Sequence, residues 1–433
     1  MKRALILAAT SALAFAAPAA AQDVAITGVT VATGDGSEPI AQGAVVIRSG
    51  KVVFAGPARD MPAVPSGIVI DGSGAWVTPG LVAAATDLGL YDVGAVSESN
   101  DKSASKSRFN AALDIAPAVN SASQHVMVSR AAGLTRAIVV PSHGGSLFAG
   151  QGAVIDLGAD PDPVQQARVL QLVEMGEGGA KSAGGGRAAA YVELRNALRE
   201  ARDFLAGRWS GEDNLLTAAD AEALGPLVTG RQKMFVEVES ALDIRAMLDF
   251  KREFPQLDMV LVGASEGWLA ADEIAAAGVP VIADALDDLP VTFEELAATQ
   301  SNVGRMTRAG VKVAIGRLSG STNSQPRSLA QFAGNLVALT KVPGASGLSW
   351  GQALAAITSI PAEIAGQRGK FGVLKPGAVG DLVVWDGDPL EVSTAPVRVF
   401  IEGIEQPLDN HQTRLRERYR DLDESELPKA YDW

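Results

Sequence analysis

Met234-Phe235-Val236-Glu237-Val238-Glu239 is followed by a helix-periodic stretch, Ala241 to Arg252, and then by Met259-Val260-Leu261-Val262-Gly263. Two short apolar runs separated by a segment of 3.6-residue periodicity read as a strand, a crossover helix and a parallel strand. The same alternation extends outward on both sides. Arg136 to Val140, Val279 to Ala283 and Val311 to Gly316 have strand character, and Ala270 to Ala277 has helical spacing. An open doubly wound sheet would give a similar pattern. Repetition across residues 79–367 favours an α/β fold of the TIM-like (β/α)8 barrel type.

The two flanks read differently. Ala44 to Arg48 and Lys51 to Ala55 enclose Ser49-Gly50, the pattern of a hairpin with a two-residue turn. Ile68-Val69-Ile70 and Ala75-Trp76-Val77 continue the strand character, but residues 22–78 are too few for a good sandwich. Their expected partners are remote: Asp381 to Trp385 and Val397 to Ile401. Residues 22–78 and 368–408 are therefore predicted to build one small β-sandwich from both chain ends. Gly176 to Arg187, rich in Gly and Ala, reads as a connector or as a lid over the barrel mouth. Residues 409–433 form a charged tail.

Composition narrows the partners. The 433 residues carry a formal charge of -13, which argues against nucleic acid, since phosphate binding needs a basic surface. Cysteine is absent, which removes disulfides and thiolate sites. Residues 1–21 have a basic start, an apolar run and Ala19-Ala20-Ala21, the pattern of a cleaved signal peptide, so a periplasmic protein is expected. No later run is long enough to span a bilayer. The expected partner is a small-molecule or peptide-like ligand, with homo-oligomer formation left open.

Four segments carry a resemblance. Asp71-Gly72-Ser73-Gly74-Ala75-Trp76-Val77-Thr78-Pro79-Gly80-Leu81 resembles the lead into the first barrel strand of the amidohydrolase superfamily. Ala314-Ile315-Gly316, the segment Leu354 to Ala362, and Gly372 to Gly387 look like its closing signatures, especially in the imidazolonepropionase-like branch. Each is weak alone, but the order is specific. The resemblance implies a metal-dependent hydrolase of amide or lactam bonds. It also implies a His-x-His pair on strand 1, histidines on strands 5 and 6, and an aspartate on strand 8.

Carried over, those slots fall on Ala85 and Asp87, Glu237, Gly263 and Leu318. The chain has three histidines, His125, His143 and His411, fewer than the implied set requires. The expectation is a degenerate metal site with no cofactor and a ligand-binding role. One alternative is an active carbon–nitrogen hydrolase with a rebuilt carboxylate-rich site, using Asp87, Glu237 and His143, with or without Mg²⁺, Mn²⁺ or Zn²⁺. Another is a structural partner in a cell-envelope complex. Gly144, Gly145 and Gln151, in a glycine-rich stretch after a strand, are candidate ligand contacts, as are Glu266, Asp284 and Arg317 near strand ends.

Overall fold

The computed structural model describes residues 23–63, 67–211, 214–316 and 326–420. The expected signal peptide, Arg317, Leu318 and the tail from residue 421 lie outside these described residues.

Strands from residues 24–79 and 382–405 meet in one mixed sheet. Its first five strands are β1 (Val24–Val31), β2 (Ile40–Arg48), β3 (Lys51–Pro57), β4 (Ile68–Asp71) and β5 (Trp76–Pro79), joined by Leu382–Trp385, Pro396–Ile401 and Ile404–Glu405. The remote expectation holds: Leu382–Trp385 pairs antiparallel with β5, with Leu382 opposite Pro79 and Val384 opposite Val77. β1 is the strand on which the sheet bends, since Val24 to Thr27 pair with β4 while Thr30 and Val31 pair with β5. Ile26, Val31, Val45, Ile47, Val77, Leu382 and Phe400 form its core.

The barrel strands are β6 (Leu81–Thr86), β7 (Leu134–Val139), β8 (Phe148–Asp156), β9 (Val164–Glu174), β10 (Lys233–Val238), β11 (Asp258–Gly263), β12 (Val281–Ala283) and β13 (Val313–Ile315). They lie side by side in sequence order. β8 departs from the expected regular alternation, pairing antiparallel with both β7 and β9. A hairpin replaces a helical crossover there, so Gly150-Gln151-Gly152 is buried strand rather than the glycine-rich loop expected. Val82, Ala84, Ile138, Leu170, Leu172, Phe235, Val260, Val262, Ile282 and Ala314 fill the interior.

Between β6 and β13 the ring is closed by a third segment. Val82 N–H donates to Ile357 O at 2.9 Å and Ile315 N–H donates to Ala356 O at 2.9 Å. Gly316 lies so close to β6 that a Cβ there would stand 2.4 Å from Ala84 Cβ. No helix among the described residues is long and apolar enough to cross a membrane.

Candidate functional site

Side chains two apart on a strand share a face. Leu170 and Leu172 therefore put Glu174 on the interior side, Phe235 does the same for Glu237, and Ile282 for Asp284, all at the C-terminal end of the barrel. β6 reaches that end through a bulge at Ala85, whose φ of 50° lies in the left-handed region. Both Ala84 and Ala85 consequently face the core, and Asp87 follows directly.

His143 comes from the loop after β7, anchored by a 2.7 Å hydrogen bond from Ser142 N–H to Lys102 O. Its Nε2 lies 2.6 Å from Glu237 Oε2, and its Nδ1 lies 3.9 Å from Glu174 Oε2. Nδ1 is shielded from solvent beside the Ser146 backbone, without a hydrogen bond of good geometry. Burial alone would lower the imidazole pKa. The hydrogen bond and charge of Glu237, with the charge of Glu174, outweigh burial and hold it above its ordinary value. One ligand atom from each of His143, Glu174 and Glu237 lies within 4.8 Å of the other two, a spacing one divalent ion can bridge.

Asp87 stands apart from this group. It is buried, its Oδ2 lies 3.5 Å from Lys102 Nζ, and its Oδ1 has no hydrogen-bond partner. Burial raises its pKa, and the Lys102 ammonium only partly offsets that. Lys102 in turn sits over the Tyr91 ring.

The structure thus brings two of the three expected catalytic residues together, His143 and Glu237, and adds Glu174. Sequence reasoning missed Glu174 because the hairpin hid β9. The signal was there in the alternation Leu170, Leu172, Glu174. At the expected strand-6 position, Gly263 has φ +91°, and a Cβ would stand 2.2 Å from Glu239 Oε1. Glu239 fills that space and accepts from Ser265 N–H at 3.1 Å and Ser265 Oγ at 2.8 Å.

Other expected contacts have structural duties. Glu266 Oε2 accepts from Ala241 N–H at 3.0 Å, and its Oε1 accepts from Ala297 N–H at 2.9 Å, tying two rim segments together. Gln151 accepts from Gln232 Nε2, whose residue immediately precedes β10, at the far end of that strand from Glu237. Gly144 packs against the Ser105 backbone, where a Cβ would come within 3.0 Å, and Gly145 turns the chain at φ 100°. Asp284 Oδ1 accepts from Leu286 N–H at 3.1 Å.

Comparison with known proteins agrees with this architecture. The family model described as "Amidohydrolase family" matches residues 264–403. The amidohydrolase tasK of Hapsidospora irregularis is 47% identical over 60 residues, 14% of this chain and 6% of that protein. The imidazolonepropionase of Acidiphilium cryptum (strain JF-5) is 48% identical over 46 residues, 11% of this chain and 12% of that protein. These matched stretches are a small part of either curated relative. The amidohydrolase from Thermotoga maritima MSB8 superposes with a TM-score of 0.77 at 20% identity, covering 88% of this chain and 99% of its own. Residues 264–403 thus match the amidohydrolase family model, and the fold as a whole is similar to that of a solved amidohydrolase.

Proposed function

We propose that this protein is a small-molecule hydrolase of carbon–nitrogen bonds whose barrel mouth holds one divalent ion between His143, Glu174 and Glu237. The observation that carries this reading is the convergence of one imidazole and two carboxylates within 4.8 Å, with His143 Nδ1 buried and turned toward Glu174. The donor set fits: one nitrogen and two carboxylate oxygens suit Zn²⁺ or Mn²⁺ and leave coordination positions open. The four-histidine arrangement implied by the resemblance does not fit, since Ala85 and Gly263 offer no side-chain donor. Such an ion, when bound, supplies a water acidified enough to attack near neutral pH.

The chain's own groups would do the rest. With no ion bound, Glu237 fixes the orientation of the His143 ring through its 2.6 Å contact. Asp87, buried and with Oδ1 unpartnered, is suited to hold or release a proton at that oxygen. Lys102 opposes the rise in the Asp87 pKa that burial causes, and its backbone bond to Ser142 couples that pair to the His143 loop. The carboxylates of Glu174, Glu237, Glu239 and Asp284 make the mouth suited to neutral or cationic substrates.

Metal analysis after incubation with Mn²⁺ or Zn²⁺ tests the reading. Wild-type protein is expected to retain a single tightly held ion at pH 8. His143→Ala and Glu174→Gln are expected to lose it while keeping the native circular dichroism. Equal retention by wild type and both variants would overturn the assignment. A second reading, a metal-free ligand-binding mouth, draws on the same contact, because an imidazolium between two carboxylates is self-sufficient. It is favoured if wild-type protein takes up no ion.

A further inference from the structure

The rim segment between β12 and the helix Asn302–Arg308 has its polarity inverted. Leu289, Val291, Phe293 and Leu296 are 77%, 84%, 82% and 66% exposed, while one of the two carboxylates between them, Glu294, is 8% exposed. Water should favour the opposite arrangement. Something specific must hold the acid inside.

Three neighbouring elements supply it. Glu294 Oε1 accepts from Glu177 N–H at 2.7 Å, in the first turn of the helix Gly176–Ser182. The same oxygen accepts from Arg187 Nη2 at 2.8 Å, at the start of the helix Arg187–Leu205. Arg187 Nε also donates to both oxygens of Asp243, at 3.0 Å each, in the first turn of the helix Ala241–Glu253. Tyr191, from the Arg187 helix, feels both carboxylates, and its buried hydroxyl has no hydrogen-bond partner. Within the segment, Glu295 Oε2 accepts from Val291 N–H and Thr292 Oγ1 accepts from Glu294 N–H, so neither opposes the inward turn of Glu294.

One guanidinium therefore faces two carboxylates, Glu294 and Asp243. With both ionised the cluster holds an excess negative charge away from solvent, which is costly. We propose that residues 287–297 form a strap latched to the barrel rim through the Glu294–Arg187–Asp243 cluster while that cluster carries one proton, and that the strap comes free when the proton leaves. On release Glu294 gains solvent, and the four apolar side chains are no longer fixed facing outward. The far end stays tethered, because Ala297 accepts from Trp268 Nε1 at 2.8 Å and donates to Glu266. The device does not depend on whether an ion occupies the His143 group.

Burial pushes the Glu294 carboxyl up to about 7, with Asp243 adding to the rise and the Glu177 amide and Arg187 opposing it. A free strap would have an ordinary carboxyl value near 4.5. Docking thus binds the proton, and it weakens by about tenfold per pH unit as pH rises between those values.

The absence of cysteine allows two nitroxide labels to be placed at Val192→Cys and Val291→Cys, both exposed positions. Pulsed electron paramagnetic resonance is expected to give one narrow distance distribution at pH 5 and a shifted, broader one at pH 8. Glu294→Gln, which stays uncharged, should keep the narrow distribution at both pH values, while Glu295→Gln should behave as the parent. Hydrogen exchange at the Glu177 amide, corrected for intrinsic rate, reads the same latch without any substitution. Its protection should fall at least about tenfold from pH 5 to pH 8. Identical distances at both pH values, a pH response that survives Glu294→Gln, or constant Glu177 protection would each overturn the proposal.

Discussion

Arg136 and Asp381, 245 residues apart in sequence, join the barrel to the terminal sheet through two hydrogen bonds, Nε to Oδ2 at 2.7 Å and Nη2 to Oδ1 at 3.2 Å. Both side chains are almost wholly buried. Asp156 lies 3.8 Å from the same guanidinium, Glu402 accepts from Nη2 at 3.1 Å, and the Phe371 ring is 5.6 Å away. Removing one member of a buried ionic cluster strands the others. Arg136→Met is therefore expected to cost about 3–5 kcal/mol of stability in urea unfolding. A loss below about 1 kcal/mol, within the range of exposed pairs, would refute a central role for this junction.

Asp156 gives the junction a pH signature. Burial, with lesser help from the charges of Asp160 and Asp381, pushes its carboxyl up to about 6, against the Gly158 hydrogen bond and Arg136. The folded value is above the unfolded one, 3.8, so the group's contribution to stability is full below about 4 and is lost as pH rises through about 6. The stability difference between wild type and Asp156→Asn, measured by urea titration from pH 4 to 8, should change in the variant's favour across that interval. A difference independent of pH would contradict the assignment.

Gly316→Ala tests the seam of the barrel. The added methyl would meet Ala84 Cβ at 2.4 Å and Ala84 O at 2.5 Å, and backbone cannot step aside as a flexible side chain can. A loss of about 1–3 kcal/mol is expected, as for other overpacked sites. An unchanged melting temperature would show that β6 and β13 are looser than the structure indicates.

Glu266→Ala separates a structural role from a ligand-binding one. Both oxygens are committed to backbone amides, so the variant should lose about 2 kcal/mol while retaining wild-type metal uptake. Unchanged stability together with lost uptake would return Glu266 to the binding site.

The barrel was legible because parallel strands buried on both faces show as apolar runs such as Met259 to Gly263. The remote pairing of β5 was legible because residues 22–78 are too few to make a sandwich alone, and strand-like runs stand at Asp381 to Trp385 and Val397 to Ile401. The reversed β8 was not, since a buried hairpin strand carries the same apolar signal as a parallel one, and direction leaves no trace in composition. That error moved Gln151 toward the mouth and hid Glu174. His143 and Glu237 were recoverable as residues near strand ends, but their contact depends on the loop pinned by Ser142 and Lys102. The two amide bonds of Glu266 were illegible for a different reason: a carboxylate that serves two amides looks the same in sequence as one that awaits a ligand.

The stitching of Val82 and Ile315 by Ala356 and Ile357 has a bearing on biosynthesis. A nascent chain emerging in order can zip β6 through β13 together, yet its ring stays unsealed until the stretch near residue 357 has left the ribosome. Translation arrested before that point should therefore leave an open, sticky half-product and invite chaperones or proteases, however complete its eight staves.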